Sequence, residues 1–340
     1  MITIYDIAKY CNVAPGTVSK VINNYPNVSE KTKEKVLKAL DELHYLPNTL
    51  AKSLGSGKSY NVGVLMYTGE GTPFFKQNLF IDILESIRHY LESQNYDLLL
   101  VSKNVAGKSE TYLDHCYARH IDGLVLFGDF TSPAMQDLIR SDIPTVGFDY
   151  VGNAISGVFS DNYEKMTLLI EHLIELGHRD IIFIHGEDNE ITKARIKAFQ
   201  DTLVRHRIGF DPAMLVQGQY CDINGMHDKT LEILSRPHRP TAIMYPDDYA
   251  AIGGKNAAYE LNLSVPVDLS ITGFDGITIG QVERPKLTTI RQDTQKIGEA
   301  LAKKLLGIIT KENAGQELIC VEGEFIVGET TWFPTTRREG

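Results

Sequence analysis

The sequence lacks any run of 18 or more apolar residues, and its N-terminal stretch lacks the apolar core of a secretory signal peptide. A helix that crosses a bilayer needs about 20 apolar residues, and a signal peptide needs an apolar segment of about 7 to 15 residues. We therefore expect a soluble cytoplasmic protein with no membrane partner.

Cysteine is scarce, and its spacing is irregular. The four cysteines are Cys11, Cys116, Cys221 and Cys320. Disulfide frameworks and zinc sites need paired cysteines at short spacing. Neither is predicted here, and we interpret all four residues as ordinary packing thiols, with no metal and no cofactor.

Signatures of catalysis are also missing. There is no G-x-S-x-G serine elbow, and no dinucleotide fingerprint follows the apolar stretch at residues 62–66. His115, Cys116 and His120 are spaced poorly for one helical face. His178 comes at the expected end of a helix, where a basic side chain commonly binds the last carbonyl groups. The sequence therefore predicts no enzyme.

One short motif imitates a phosphate-binding loop. Gly57-Lys58-Ser59 matches the end of a P-loop, but that motif needs a glycine where this chain has Lys52, and it needs a strand before it and a helix after it. The expected order here is the reverse. We do not predict nucleotide hydrolysis at this position.

The charge is unevenly distributed. The whole chain carries a net charge of −10, whereas residues 1–58 carry +3 and the remainder −13. Phosphate would repel the acidic part, so a contact with nucleic acid must involve the basic end. Six of its eight lysines are Lys9, Lys20, Lys31, Lys33, Lys35 and Lys38. Lysines on a helix are otherwise usually a solvated face, so this charge alone does not decide the function.

The first 46 residues show the pattern of three short helices. Thr3 and Ser29 are placed as N-caps of the first and third helices, and Pro15 is placed as the first residue of the second. Apolar residues then recur at helical spacing and predict one small core. They are Ile7, Ala8, Cys11, Val18, Val21, Ile22, Val36, Leu40 and Leu43. The alternative is an ordinary helical mini-domain without DNA function.

The remainder alternates apolar stretches with amphipathic helices, which is typical of an α/β fold with parallel strands. The expected strands form two sets, residues 62–66, 98–101, 123–127 and 145–148, and residues 181–184, 242–245 and 270–274. We therefore predict two doubly wound parallel sheets in two lobes, with a ligand cleft between them beyond the carboxyl ends of the strands.

Several stretches resemble the lactose-repressor family of bacterial transcription regulators. They include Thr3-Ile4-Tyr5-Asp6-Ile7-Ala8, residues 13–23, Val28-Ser29-Glu30-Lys31-Thr32, Leu46-Pro47-Asn48, Ser160-Asp161-Asn162-Tyr163 and Gly273-Phe274-Asp275. The resemblance implies a helix-turn-helix domain at residues 1–46, a hinge helix and linker at 47–59, and a periplasmic-binding-protein-like core. One core lobe would comprise residues 60–160 and 290–320, and the other 161–289 and 321–334. The chain would cross between them near Asp161, Thr289 and Val321.

The resemblance also implies the residues that contact DNA. They are Thr3, Tyr5, Pro15, Gly16, Thr17, Ser19, Lys20, Asn23, Asn48, Ala51 and Leu54. Leu54 would be a wedge in the minor groove, the alternative being simple helix packing. Residues 48–54 are too few for a stable isolated helix, so we expect this hinge to fold only when a second subunit and DNA hold it.

The recognition helix departs from the family pattern. Ala14 stands where many relatives have a capping serine, and neither Pro15 nor Gly16 has a side chain that can hydrogen-bond a base edge. Direct readout would depend on Lys20, with Thr17 and Ser19 as helpers or phosphate contacts.

For the effector, the resemblance implies Phe74, Phe75, Asp149, Arg195, Tyr220, Asp247 and Asp275. Carboxylates, a guanidinium and aromatic faces suit a sugar or polyol. Asp247 replaces an asparagine of some relatives, so an amine is possible, and stacking on Phe74 and Phe75 leaves a purine or nucleoside as the alternative. We expect Asp248 to cap the following helix.

The resulting hypothesis is a homodimeric repressor on palindromic double-stranded DNA, with recognition helices about 34 Å apart. A ligand in the cleft would change DNA affinity by a coupling energy of about 1 to 3 kcal/mol. The rival hypotheses are a sugar-binding protein without DNA function and a small-molecule enzyme.

Overall fold

The computed structural model describes residues 2–22, 25–45, 58–67, 78–105, 108–109 and 111–334. The chain divides into two compact units, Met1–Tyr60 and Asn61–Gly340. We call them the headpiece and the body. In the described ranges, no helix is long and apolar enough to cross a membrane.

The headpiece contains three helices, α1 (Ile4–Tyr10), α2 (Pro15–Ile22) and α3 (Glu30–Glu42). Both predicted caps are confirmed, because the Thr3 hydroxyl accepts the amide of Asp6 and the Ser29 hydroxyl accepts that of Thr32. Most residues of the predicted core are buried at the centre of the headpiece, while Ile22, Leu40 and Leu43 pack against this centre and are only partly buried. Fully buried are Ile7, Ala8, Cys11, Val18, Val21, Val36 and Ala39.

The body alternates strands and helices. Its strands are β1 (Asn61–Tyr67), β2 (Asp97–Leu100), β3 (Asn104–Val105), β4 (Lys108–Ser109), β5 (Gly123–Gly128), β6 (Thr145–Phe148), β7 (Ser156–Ser160), β8 (Ile181–His185), β9 (Leu215–Gln217), β10 (Ala242–Met244), β11 (Ser270–Thr272), β12 (Thr289–Arg291), β13 (Leu318–Val321) and β14 (Glu324–Ile326). Its α-helices are α4 (Asn78–Ser93), α5 (Tyr112–Ala118), α6 (Pro133–Ile139), α7 (Asn162–Glu175), α8 (Glu190–Arg205), α9 (Ile223–Leu234), α10 (Asp248–Glu260), α11 (Thr278–Val282) and α12 (Thr294–Ile309).

Ten of these strands form two parallel sheets, as predicted, while β3 with β4 and β12 with β14 form two-stranded antiparallel sheets. The first has the order β13-β7-β6-β5-β1-β2, and the second has the order β11-β10-β8-β9. All seven strands predicted from the sequence are present, with ends that differ by at most two residues, and each lies in the sheet to which its set belongs. Apolar side chains pack on these sheets, including the fully buried Phe127 in the first lobe and Phe183 and Phe199 in the second. Burial of each such ring stabilises the fold by about 2 to 3 kcal/mol.

The chain passes between the two sheets at three places. The first sheet contains β7, which ends at Ser160, and Asp161 then caps α7, whose apolar face packs in the core of the second lobe. After β12, helix α12 packs against α4 and β5 of the first lobe. Finally, β13 pairs with β7, and β14 pairs antiparallel with β12. The assignment of exact lobe boundaries stays a prediction.

Candidate DNA-binding surface and effector site

Helix α2 carries five of the eleven predicted DNA-contacting residues. Gly16 and Lys20 are exposed, and Pro15, Thr17 and Ser19 are half-buried, whereas Val18 and Val21 point into the core. Because Val18 and Val21 anchor the helix, the intervening side chains face away from the headpiece. Lys20 forms no ion pair with any described residue.

Two predicted contacts lie on or before α1. The ring of Tyr5 is 71% exposed, so it is available to a partner. The hydroxyl of Thr3 instead donates to Asp6 Oδ2 at 2.6 Å and accepts the Asp6 amide at 3.3 Å, which completes a capping box. Thr3 therefore first stabilises α1. The remaining predicted contacts, Asn23, Asn48, Ala51 and Leu54, lie outside the described residues.

In the body, Arg195 is the centre of a buried polar cluster. It lies on α8 and is 4% exposed. Its Nε donates to Asn162 Oδ1 at 2.8 Å and its Nη1 donates to the Pro246 carbonyl at 2.7 Å. Its guanidinium carbon lies 3.6 Å from the centre of the Phe274 ring. These contacts fix the plane of the guanidinium group, while Nη2 donates to no described residue.

Three carboxyl groups interact electrostatically with Arg195, and each follows a strand at its carboxyl end. Burial raises the pKa of Asp149 and of Asp247 to about 7, and it also raises the pKa of Asp275, while the charge of Arg195 opposes each shift. Asp149 Oδ1 is inaccessible to solvent and has no hydrogen-bond partner among the described residues. An unpaired buried oxygen is costly, so a hydrogen bond from a ligand donor would stabilise this atom.

Asp247 has a different role from Asp149. Its Oδ1 accepts the Ala250 amide at 2.9 Å, and its Oδ2 accepts the Cys221 amide at 2.7 Å. It thereby caps α10 and holds the turn that carries Tyr220. The expectation that Asp248 caps this helix was wrong. Asp248 is fully buried and accepts the Thr289 hydroxyl at 2.6 Å and the Ile277 amide at 2.8 Å.

Tyr220 is also placed in this cluster. Its hydroxyl shares a 2.9 Å hydrogen bond with Thr192 Oγ1, and burial raises its pKa. Its ring lies over Gly186, where an added Cβ would come within 2.0 Å of a ring carbon. Glycine at 186 therefore permits the ring to reach the end of β8. The other predicted aromatic contacts, Phe74 and Phe75, lie outside the described residues.

Gln292 is a member of the cluster that the sequence did not reveal. It is buried, its Oε1 accepts the Ser160 hydroxyl, and its Nε2 donates to Asp275 Oδ1 at 2.7 Å. Asn162 was also missed, although it lies in the quoted stretch Ser160-Asp161-Asn162-Tyr163. No local pattern marks either residue, because their partners are far away in the chain.

Two other predictions need correction. Cys11 and Cys116 are buried and Cys221 is half-buried, but Cys320 is exposed and is no core thiol. His178 does not bind helix carbonyls with its ring. It bonds to Thr241 and Ser270 and donates to the Trp332 carbonyl, while Arg179 donates to the carbonyl of Ile174 at the end of α7.

The described residues contain no group of three or more His, Cys, Asp or Glu side chains suited to a metal ion. A three-helix unit with an exposed second helix, followed by two wound sheets with a polar cluster at their strand ends, defines a DNA-binding regulator with a ligand-binding body.

Comparison with known proteins supports this class and identifies the family. Residues 3–48 match the model "Bacterial regulatory proteins, lacI family", and residues 170–331 match "Periplasmic binding protein-like domain". The chain is 32% identical to the "Probable HTH-type transcriptional repressor ExuR" of Bacillus subtilis over 99% of this chain and 100% of that protein. It is also 32% identical to a PurR repressor of Haemophilus influenzae over 93% of each chain. The chain belongs to the LacI family.

Solved structures share the fold. The lac repressor dimer bound to operator and the anti-inducer ONPF superposes with a TM-score of 0.82 at 24% identity, covering 97% of this chain and 99% of that one. A LacI-family regulator from Enterococcus faecium with bound ribose has a TM-score of 0.70 at 26% identity, covering 81% and 100%. The protein is a DNA-binding transcriptional repressor controlled by a small molecule, and it is not an enzyme.

Proposed function

We propose that the effector is a sugar or related polyol and that Arg195, Asp149 and Asp275 bind its hydroxyl groups. The proposal rests on two features of the same cluster, a guanidinium group held in a fixed plane and the Asp149 Oδ1 atom, which has no hydrogen-bond partner among the described residues. A hydroxyl group can accept from the first and donate to the second at once. An apolar ligand would leave both unsatisfied in a buried site.

The distribution of acceptors favours a ligand with several donors. Three carboxyl groups interact electrostatically with one guanidinium group, and Asp247 already uses both of its oxygens. Asp149 and Asp275 therefore supply the acceptor atoms for a ligand, while Asp247 acts indirectly by holding Tyr220. Vicinal hydroxyls of a sugar match two such carboxylates. The ribose complex of the Enterococcus relative is consistent with this chemistry.

A purine or nucleoside is the second candidate. It depends on stacking against Phe74 and Phe75, and similarity to PurR repressors keeps it open. In the described part of the cluster, the Phe274 face is occupied by Arg195. The described contacts therefore favour hydroxyl recognition over base stacking.

At the operator, we propose that a homodimer places two copies of α2 in successive major grooves of a palindromic site. Lys20 would read a base or phosphate, and the segment around Leu54 would contact the minor groove. Ligand binding between the lobes would change the spacing of the two headpieces. Such a protein acts in the cytoplasm and lies at the nucleoid when it is bound.

The effector proposal is tested by calorimetry with a panel of sugars, sugar amines, purines and nucleosides. Arg195→Ala should abolish binding of the active compound, while operator affinity stays near the wild-type value. Arg205→Ala is the matched control, because this arginine lies on the same helix with a 51% exposed side chain. Melting temperatures must be compared, because Arg195 also holds Asn162 and the Pro246 carbonyl. A retained response, or response to purines alone, would contradict the sugar site.

The operator proposal is tested by gel shifts on the DNA upstream of the protein's own gene. Lys20→Ala should reduce specific affinity by about 1 to 3 kcal/mol, as expected for loss of one base contact. Lys303→Ala, an exposed lysine of α12 in the body, is the control. Equal losses in both variants would indicate a general charge effect.

A further inference from the structure

The N-terminal turn of α2 has an unusual surface. Ala14, Pro15 and Gly16 follow one another there without a polar side chain, and Ala14 and Gly16 are exposed. The Ala14 carbonyl accepts the amides of Thr17 at 2.8 Å and Val18 at 3.3 Å, so Ala14 is the N-cap residue of the helix.

Neither Ala14 nor Gly16 favours the stability of α2. An N-cap hydroxyl or carboxylate would accept a free helix amide, as Thr3 and Ser29 do for the neighbouring helices. Glycine within a helix is less favourable than alanine because it loses more backbone entropy on folding. Two such choices in one turn point to a functional constraint.

No contact of the described residues requires glycine at position 16. A Cβ added there would meet no heavy atom of the described residues within 4 Å. Its φ is also outside the left-handed region, unlike those of Gly128, Gly177 and Gly276. The described part of the headpiece therefore gives no reason for the missing side chain, and this turn of a recognition helix is the part that faces base edges.

We propose that this turn recognises the C5-methyl group of thymine and that Gly16 leaves the space that the methyl group fills. The inference rests on the proposed function of α2 as the recognition helix. In the major groove, thymine presents an apolar methyl group, which small apolar protein groups contact. Ala14 and Pro15 add apolar surface in the same turn, and Lys20 adds a hydrogen-bond donor one turn later.

The test begins with the full-length protein. Its operator is selected from randomised duplexes at low ionic strength, and each thymine of the selected sequence is then replaced by deoxyuridine, which lacks only the methyl group. We expect one or two sensitive thymines in each half-site. Loss of one buried methyl group should weaken binding by about fourfold per half-site, or by about sixteenfold when both half-sites are changed.

A Gly16 variant tests whether the effect of the thymine methyl group depends on the space at this position. Gly16→Ala should raise the melting temperature of the headpiece transition, yet weaken binding to the thymine operator at least as much as methyl removal does. The variant should bind the deoxyuridine duplex as tightly as the thymine duplex, or more tightly, because the new Cβ occupies the gap. Gly209→Ala is the matched control, since a Cβ there also meets no heavy atom within 4 Å but lies in the body.

Each of three outcomes would contradict one part of the proposal. A deoxyuridine scan with no sensitive position overturns methyl recognition. A Gly16→Ala variant that loses affinity equally on both duplexes, with a smaller dependence of affinity on salt, indicates that the glycine serves a phosphate contact instead. Failure to select any sequence contradicts the proposed operator function itself and is thereby distinguished from failure of methyl recognition.

Discussion

Gln292 Nε2 donates a 2.7 Å hydrogen bond to Asp275 Oδ1, and the Oε1 of the same amide accepts the hydroxyl of Ser160. Ser160 ends β7 in the first sheet, whereas Asp275 follows β11 in the second sheet. The buried side-chain amide of Gln292 therefore bonds to one residue of each lobe, and one of these residues, Asp275, belongs to the proposed effector site.

Replacement of Gln292 should uncouple the ligand from the operator. Gln292→Ala leaves Ser160 and Asp275 without this partner, so the effector-induced change in operator affinity should fall about tenfold, or ~1.4 kcal/mol of coupling. Operator affinity without effector should change little. The measurement is fluorescence anisotropy of labelled operator with and without the sugar identified by calorimetry.

Gln281→Ala is the control for this experiment. Gln281 lies on α11 and donates to the Leu287 carbonyl at 3.2 Å, away from Ser160. Full response in the Gln292 variant would mean that the amide is only a packing element.

The raised pKa of Asp149 predicts a pH dependence of stability. Burial raises this pKa from 3.8 to about 7, so the folded state binds the proton more tightly than the unfolded state does. The sign follows from linkage, because stability falls as pH rises from about 4 through 7 and is constant above. Relative to Asp149→Asn, the wild type should lose about 2 kcal/mol between pH 5 and pH 8, or ~5 °C in Tm.

Only the difference in pH-dependent stability between the wild type and Asp149→Asn isolates the contribution of this carboxyl group. Burial lowers the pKa of His172 and of His178, and these groups add a slope of opposite sign below their unfolded pKa. Asp188→Asn, with an 82% exposed side chain, should follow the wild type. Parallel curves for wild type and Asp149→Asn would show that this carboxyl contributes no such slope.

Gly253→Ala should destabilise the body, although alanine normally favours a helix by about 1 kcal/mol. A Cβ at this position of α10 would lie 2.2 Å from the carbonyl oxygen of Ile223 in α9. Backbone cannot move aside as a side chain does, so we expect a loss of about 1 to 3 kcal/mol. Urea unfolding measures it. Gly209→Ala should stay within about 0.5 kcal/mol of the wild type; an equally stable Gly253 variant would show that the two helices separate easily.

Leu54→Ala should reduce specific operator binding far more than non-specific binding, because the proposed wedge acts only on a duplex in register. Leu54 lies outside the described residues, so this prediction depends on the family motif. Gel shifts on operator and on unrelated DNA measure both affinities. Leu37→Ala, which removes a 47% exposed side chain on α3, is the control. Equal losses on the two DNAs would count against a wedge.

The headpiece was predicted well because its helix caps and buried faces depend on residues that are close together in the sequence. Thr3 and Ser29 cap the helices that follow them by accepting amides three residues away, and Val18 and Val21 mark one face of α2. The seven predicted strands were visible as apolar stretches, and they include β10 and β11, which contain only three residues each but are fully buried. The equally short β9, β12 and β14 each contain an exposed residue, so no continuous apolar stretch marks them.

The site could be predicted only in part. Arg195, Asp149 and Asp275 were selected by resemblance, and the structure brings them together, but their roles in binding stay a proposal. The prediction that Asp248 caps α10 was wrong. Asp247 and Asp248 are adjacent acidic residues after a strand, and the sequence pattern does not show which of them accepts the helix amide. The extended backbone of Asp247, with φ −154° and ψ 173°, decides which one caps the helix.

The sequence by itself determined the three helices of the headpiece, since caps and apolar periodicity act over a few residues and need no knowledge of distant partners. Its family motifs, rather than periodicity or charge, indicated the class of protein. Only the tertiary structure decided how the polar cluster is connected. Gln292 and Ser160 are 132 residues apart, and Arg195 and Pro246 are 51 apart. The physical reason is desolvation: a buried polar group must be paired, and which partner is within reach depends on how the two sheets pack, which no local pattern of residues encodes.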